Sequence, residues 1–425
     1  MNSFSGVFLA VVLGGALVQV WLARRHARHV RAHADRVPEA FADRISTADH
    51  RKAAQYTLAR LRVETADLLL GTLILLAWTL GGGVAWLDAW LTTWLPEPLW
   101  QGVALLLGVF LIGGVLELPL ALWRTFGVEQ RFGFNRTTPR RFLLDLALQT
   151  GVALLLGTPL LIAVLWLMGR AGGAWWLYAW GLWMAFTLAV TWLYPNWIAP
   201  LFNRFTPLEE GALRRRLEAL LARCGFRSNG MFVMDGSRRS AHGNAYFTGF
   251  GRHKRIVFFD TLLHGLADEE IEAVLAHELG HFKRRHILKH LLLSAAMSLM
   301  ALALLGWLAT QPWFYAGLGV THHSDATALT LFLLAAPAFS VLVSPVLAGL
   351  SRRHEFEADD FAAELTGSRP LISGLVKMYR DNASTLTPDP WYSAFHHSHP
   401  PAPVRIAHLS SRMPSRLTPQ ESRPS

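Results

Sequence analysis

The chain is poor in cysteine, in charge and in lysine. Its single cysteine, Cys224, excludes an intramolecular disulfide and any cysteine-ligated metal site. Lying just before Gly225 at the end of a helical stretch, Cys224 reads as a small packed residue. Only 16% of the 425 residues are charged and 52% are hydrophobic, which excludes a disordered chain and an ordinary soluble enzyme. Lysine is scarce, 5 against 35 arginines, and this bias points to a GC-rich genome such as a bacterial one. No internal repeat is present, so the chain is not a repeat array.

What is abundant is apolar length. Seven stretches (4–23, 68–87, 103–123, 146–168, 174–193, 291–309 and 326–350) are long and apolar enough to span a bilayer, and 17 tryptophans suit membrane interfaces. The first stretch lacks the basic residues that precede the apolar run of a signal peptide, so it reads as a retained span. The net charge of +10 is unevenly placed. Residues 24–62 carry ten Lys/Arg and 124–141 carry five, whereas 1–3, 88–102, 169–173 and 310–325 together carry one, Arg170. Positive charge marks the cytoplasmic side. That puts the N-terminus outside and residues 24–67, 124–145, 194–290 and 351–425 in the cytoplasm. Topology and contact with anionic membrane lipids account for the run Arg24-Arg25-His26-Ala27-Arg28, and nucleic acid is not an expected partner.

The expected organisation is five spans over 1–193, a cytoplasmic block over 194–290, a membrane hairpin over 291–350, a second cytoplasmic block over 351–410 and a disordered Ser/Pro/Arg-rich tail over 411–425. Within the first block an amphipathic helix covers 213–223 and a short strand Met231–Met234. Two more strands cover 244–247 and 255–260, joined through Gly249 and Gly251. A helix then opens at Asp268-Glu269-Glu270 and is expected to run on through Lys283-Arg284-Arg285 into the sixth span. The fold class is therefore mainly α, a seven-transmembrane-helix protein with a cytoplasmic α+β domain.

That last helix carries His277-Glu278-Leu279-Gly280-His281. Residues four apart share a helix face, so His277 and His281 can offer imidazole nitrogens to one zinc ion, with Glu278 beside them as a base for zinc-bound water. A catalytic zinc needs a third protein ligand and an open position. Glu355 and Asp359, four apart just after the seventh span, suit this need: Glu355 as ligand, Asp359 as acceptor of a ligating histidine's other N–H. Pairing of Glu355 with Arg352 or Arg353 is the plainer alternative, and Glu357 is a weaker ligand candidate. Ligands on either side of a membrane hairpin meet only near one membrane face, which places the site at the cytoplasmic boundary. His396 and His397 lack a carboxylate partner and are not expected to hold a second metal.

These residues resemble the type I CAAX prenyl endopeptidases, integral-membrane zinc metalloproteases of gluzincin-like type. The resemblance rests on Phe132-Gly133-Phe134-Asn135, on Tyr194 through Phe202, on Ser240-Ala241-His242-Gly243-Asn244-Ala245-Tyr246-Phe247, on His277–His281, on Glu355–Asp359 and on Ser398-His399-Pro400-Pro401. It implies seven helices around a water-filled chamber with one zinc ion facing it. It implies that Asn244, Ala245 and Tyr246 belong to an edge strand that pairs with substrate backbone. It also implies that His399 and Arg405 stabilise the oxyanion or hold a substrate carboxylate. The substrate would be a peptide or prenylated peptide cut near its C-terminus, in a bacterial inner membrane or, in a eukaryote, the endoplasmic reticulum membrane. Oligomeric state stays open. A general membrane quality-control metalloprotease is the enzymatic alternative. A seven-span transporter, receptor or scaffold is the non-enzymatic one, and it is disfavoured because ionisable residues such as Glu117 are few within the spans.

Overall fold

The computed structural model describes residues 2–226, 228–248 and 255–412. Six of its helices are long and apolar enough to cross a membrane: Ser3–Ala32, Pro98–Phe132, Pro139–Arg170, Gly172–Phe202, His286–Leu308 and Asp325–Leu342. The pair Thr47–Trp78 and Gly83–Thr92, bent by 50°, makes a seventh when counted as one span. Leu17, Leu73, Val115, Leu155 and Trp192 on these helices are exposed, a pattern that suits contact with lipid. Phe8, Leu105, Leu106, Leu305, Phe314 and Leu331 fill the space between the helices.

Three of the expected elements are broken. The stretch 68–87 is not one helix but turns at residues 79–82, where Gly81, Gly82 and Gly83 interrupt the apolar run and Gly82 adopts φ 77°. The stretch 326–350 ends at Phe339, passes through a tight turn over Ser340–Leu342, and restarts as Ser344–Thr366. Pro337 and Pro345 lie on either side of this turn; each removes a backbone donor, and Pro345 suits the first turn of the new helix. The helix with the histidine pair stops at Lys283, and the sixth span begins afresh at His286. Arg285 between them takes the left-handed conformation, φ 57° and ψ 32°.

Beside the membrane helices lies a four-stranded sheet. Its strands are β1 (Phe205–Pro207), β2 (Met231–Met234), β3 (Ala245–Thr248) and β4 (Arg255–Phe259), in the order β1-β2-β4-β3. β2 and β4 are parallel, the other two pairings antiparallel. The expected joining glycines, Gly249 and Gly251, lie outside the described residues, as do residues 413–425 of the tail. The last described helix is Ala402–Ser411.

Helix Asp268–Lys283 is the hub of the extramembrane part. Three acidic residues open it, favourable against the helix dipole, and Glu270 turns back to accept the Ala267 N–H at 2.8 Å. Lys377, on helix Ser368–Asp381, pairs with the same carboxylate at 2.7 Å. Ile271, Leu275 and Leu279 join Leu217, Ile256, Phe258, Leu371, Leu375 and Ile406 in one core. Each such side chain contributes about 1.5–3 kcal/mol when fully buried. Residues 194–290 and 351–410 thus share a single core although a membrane hairpin separates them in sequence.

Candidate metal and substrate site

Helices Asp268–Lys283 and Ser344–Thr366 pack face to face. Gly280 makes this possible: a Cβ there would stand 2.9 Å from Ala358 Cα and 3.1 Å from its carbonyl oxygen. The close approach brings His277, His281 and Glu355 together. Their facing atoms are separated by 3.2 Å (Nε2 to Nε2), 3.5 Å (His277 to Glu355) and 3.3 Å (His281 to Glu355). A small ion held tetrahedrally at about 2.0–2.1 Å needs donors about 3.3 Å apart, so the spacing fits one. Two further features call for a cation. Neutral imidazoles ligating through Nε2 would aim lone pairs at a carboxylate, and Glu355 Oε2 is buried with no hydrogen-bond partner among the described residues. These three residues are the one group of at least three potential ligands found among the described residues.

Asp359, fully buried, lies 2.9 Å from His277 Nδ1 and accepts its hydrogen, leaving Nε2 free for a metal. Arg405 grips Asp359 with both arms, Nε at 2.9 Å and Nη2 at 2.5 Å. Nε and Nη2 are thus committed to Asp359, while Nη1 faces Glu355 at 3.7 Å. Burial and the Arg405 charge push the His277 pKa down, but Asp359 and Glu355 outweigh them and lift it to about 9 without a metal. Burial raises Asp359 and Glu355, yet facing cationic groups win and hold both below the usual carboxylate range. Glu278 behaves oppositely: burial raises it above its ordinary value, and the nearby histidines offset this only in part.

His399 stands on the open side of the site, with Nε2 3.4 Å from Glu355 Oε1 and Nδ1 3.1 Å from Ser398 Oγ. β3 is the edge of the sheet. Phe259 N–H donates to the Asn244 carbonyl at 2.9 Å, so alternation turns the backbone of Tyr246 towards Val257 and that of Ala245 and Phe247 to the open edge. The Asn244 side chain accepts the Ala245 N–H at 2.8 Å. The Tyr246 hydroxyl reaches Met234 Sδ rather than the histidines.

Two supporting residues, Asn382 and Glu129, carry no signal in the sequence. Asn382 Oδ1 accepts the Gly243 N–H at 3.1 Å and meets His242 Nδ1 at 3.2 Å, pinning the chain just before β3. Phe134 stacks on the His242 ring. Glu129, presented by a π-helical turn over Trp123–Glu129, holds the Tyr56 hydroxyl at 2.7 Å. Asn382 and Glu129 are far from the metal motif in sequence, and only the fold joins them to it. A cavity of about 750 Å3 lined by Glu117, Arg124, Asp145, Gln149 and Arg239 opens between the spans and reaches His242.

Known proteins resemble this chain in sequence and fold. Residues 26–204 match the CAAX prenyl protease N-terminal family, described as five membrane helices, and residues 207–413 match peptidase family M48. A CAAX prenyl protease 1 homolog of Oryza sativa subsp. japonica is 38% identical over 310 residues, 72% of each chain. The homolog of Homo sapiens is 31% identical, with 95% of each chain covered. The crystal structure of S. mikatae Ste24p has a TM-score of 0.89 at 27% identity, covering 96% of this chain and 99% of that one.

Proposed function

Because the chain belongs to the CAAX prenyl protease 1 family of M48 peptidases, we propose that His277, His281 and Glu355 hold one catalytic zinc ion with Glu278 as the base. The protein is a multi-pass membrane metalloendopeptidase. The observation that carries the ligand assignment is the tetrahedral spacing of three donors, two on the helix that also bears Glu278 and the third, Glu355, on the helix packed against it.

Bound there, zinc supplies a Lewis acid that lowers the pKa of water from about 16 to about 7. Glu278, with its pKa raised by burial, takes the proton of the attacking water and delivers it to the leaving amine. An extended substrate adds to the open edge of β3, bonded to the outward carbonyl of Ala245 and the outward backbone groups of Phe247, while Asn244, which occupies the Ala245 N–H, and Tyr246 hold the strand in register. His399, with Ser398 hydrogen-bonded at Nδ1, presents Nε2–H to the oxyanion. Arg405 acts through Asp359, keeping that carboxylate ionised and the His277 ring oriented, because its Nε and Nη2 are committed to Asp359.

The substrate we infer is a prenylated Cys-aliphatic-aliphatic-X C-terminus, on the strength of the CAAX prenyl protease designation that the relatives share. That designation favours this reading over a general quality-control protease. The charge asymmetry supports a site on the cytoplasmic face, of a bacterial inner membrane or of the endoplasmic reticulum in a eukaryote. Cleavage of a farnesylated peptide and its unprenylated twin by the purified protein tests the whole reading. Glu278→Gln is expected to retain zinc and lose turnover by about 10²–10⁴-fold; a Glu278→Gln protein that cleaves normally removes Glu278 from the mechanism. Equal cleavage of the two peptides would reject the prenyl requirement.

A further inference from the structure

His281 and His277 are supported differently. His277 leans on Asp359, whereas the Nδ1 of His281 lies 3.1 Å from the Nδ1 of another histidine, His286. His286 is buried, and its Nε2 lies 3.1 Å from Glu357 Oε2. Arg353 at 3.4 Å and Lys289 at 4.0 Å surround that carboxylate with positive charge. The His286 ring is fixed from one face by His354, stacked at 4.0 Å with a 13° interplanar angle.

Only one hydrogen arrangement satisfies this chain. His281, ligating through Nε2, carries its hydrogen on Nδ1 and must donate it. His286 Nδ1 is then the acceptor, its hydrogen sits on Nε2, and that hydrogen goes to the ionised Glu357. We propose that His286 is a positioning residue for the metal centre: it accepts the His281 Nδ1–H and, anchored by Glu357, fixes the tautomer and orientation of that ligand. The inference rests on His281 being a metal ligand.

The backbone supports it. On an uninterrupted helix, residue 286 would lie about 140° around the axis from residue 281, facing away from it. The left-handed Arg285 breaks the helix and swings His286 under His281. A non-glycine residue in this conformation is strained, and the strain accompanies a specific contact here.

Zinc affinity, measured on the full-length protein in detergent by competition with a chelating dye, tests the role without recourse to turnover. His286→Phe keeps a ring to stack on His354 but has no acceptor, and its affinity should fall about 10–100-fold. Glu357→Ala should weaken binding about tenfold, whereas Glu357→Gln, which keeps an oxygen for the His286 Nε2–H, should stay within about twofold of the native protein. Thermal unfolding in excess chelator reports packing alone and should be the same for all three. Native affinity in both His286→Phe and Glu357→Ala would overturn the proposal. Should His286→Phe unfold early, the half-buried Glu357 pair decides: equal affinities of its Ala and Gln variants reject the relay. His281→Ala is the reference; if it binds zinc like the native protein, the ligand assignment itself fails.

Discussion

At the scale of single residues, the site sets opposite demands on neighbouring groups, and each is met by what surrounds it. His277 must be neutral to ligate, yet without metal it keeps its proton up to about pH 9 because Asp359 and Glu355 outweigh its burial. Metal binding must displace that proton, so zinc affinity should climb as pH rises towards about 9 and then level, by at most about tenfold per pH unit. Competition titrations at several pH values would show the slope; a flat profile would contradict the assignment. Glu278 must be ionised to act as base, and its burial moves its pKa upward. The acid limb of kcat/KM should therefore fall at a higher pH than the ordinary glutamate value of 4.5, and a limb at or below it would show a solvated base. His277 with His281 and Glu355 with Asp359 were legible because each pair obeys helical spacing, and Glu278 because it adjoins His277 in the motif. His399 and Arg405 were reached only through resemblance, since a lone histidine and arginine carry no periodic signal. His286 and Asn382 were not legible at all. One is brought to the site by a broken helix and the other by a contact across 139 residues.

At the scale of elements, the helices were legible from apolar periodicity, but their interruptions were not. Hydropathy is blind to the glycine turn at 79–82, to the left-handed Arg285 and to the tight turn at Ser340–Leu342, because apolar composition runs straight through two of them. The breaks at Arg285 and at Ser340–Leu342 matter, since they border the helices that carry the donors. Gly280 shows how finely the helices are set. Alanine is the better helix former by about 1 kcal/mol, so on propensity alone Gly280→Ala should stabilise the helix. Its Cβ would instead meet Ala358 backbone atoms at 2.9–3.1 Å, pushing Glu355 and Asp359 away from the histidines. Gly280→Ala is expected to weaken zinc binding by more than about tenfold, whatever its effect on melting. Unchanged affinity would mean that the two helices separate without moving the donors.

At the scale of the whole molecule, charge placement and packing specify how the chain crosses the bilayer. The orientation is open to direct labelling. Glu97 is exposed just before span Pro98–Phe132 and its side chain makes no capping bond, so Glu97→Cys on a Cys224→Ser background should react with an impermeant thiol reagent on intact cells. Protection at position 97 would invert the topology. The two halves of the metal site lie on opposite sides of the hairpin His286–Leu308 and Asp325–Leu342, yet their apolar side chains interlock in one extramembrane core. Covalent continuity through the bilayer is thus a route by which the second half is delivered to the first. It is not the clamp that holds them. A chain severed in the distant loop between Leu308 and Asp325 would still present both halves on the same side, and the interlocked core would keep the donors assembled across the cut.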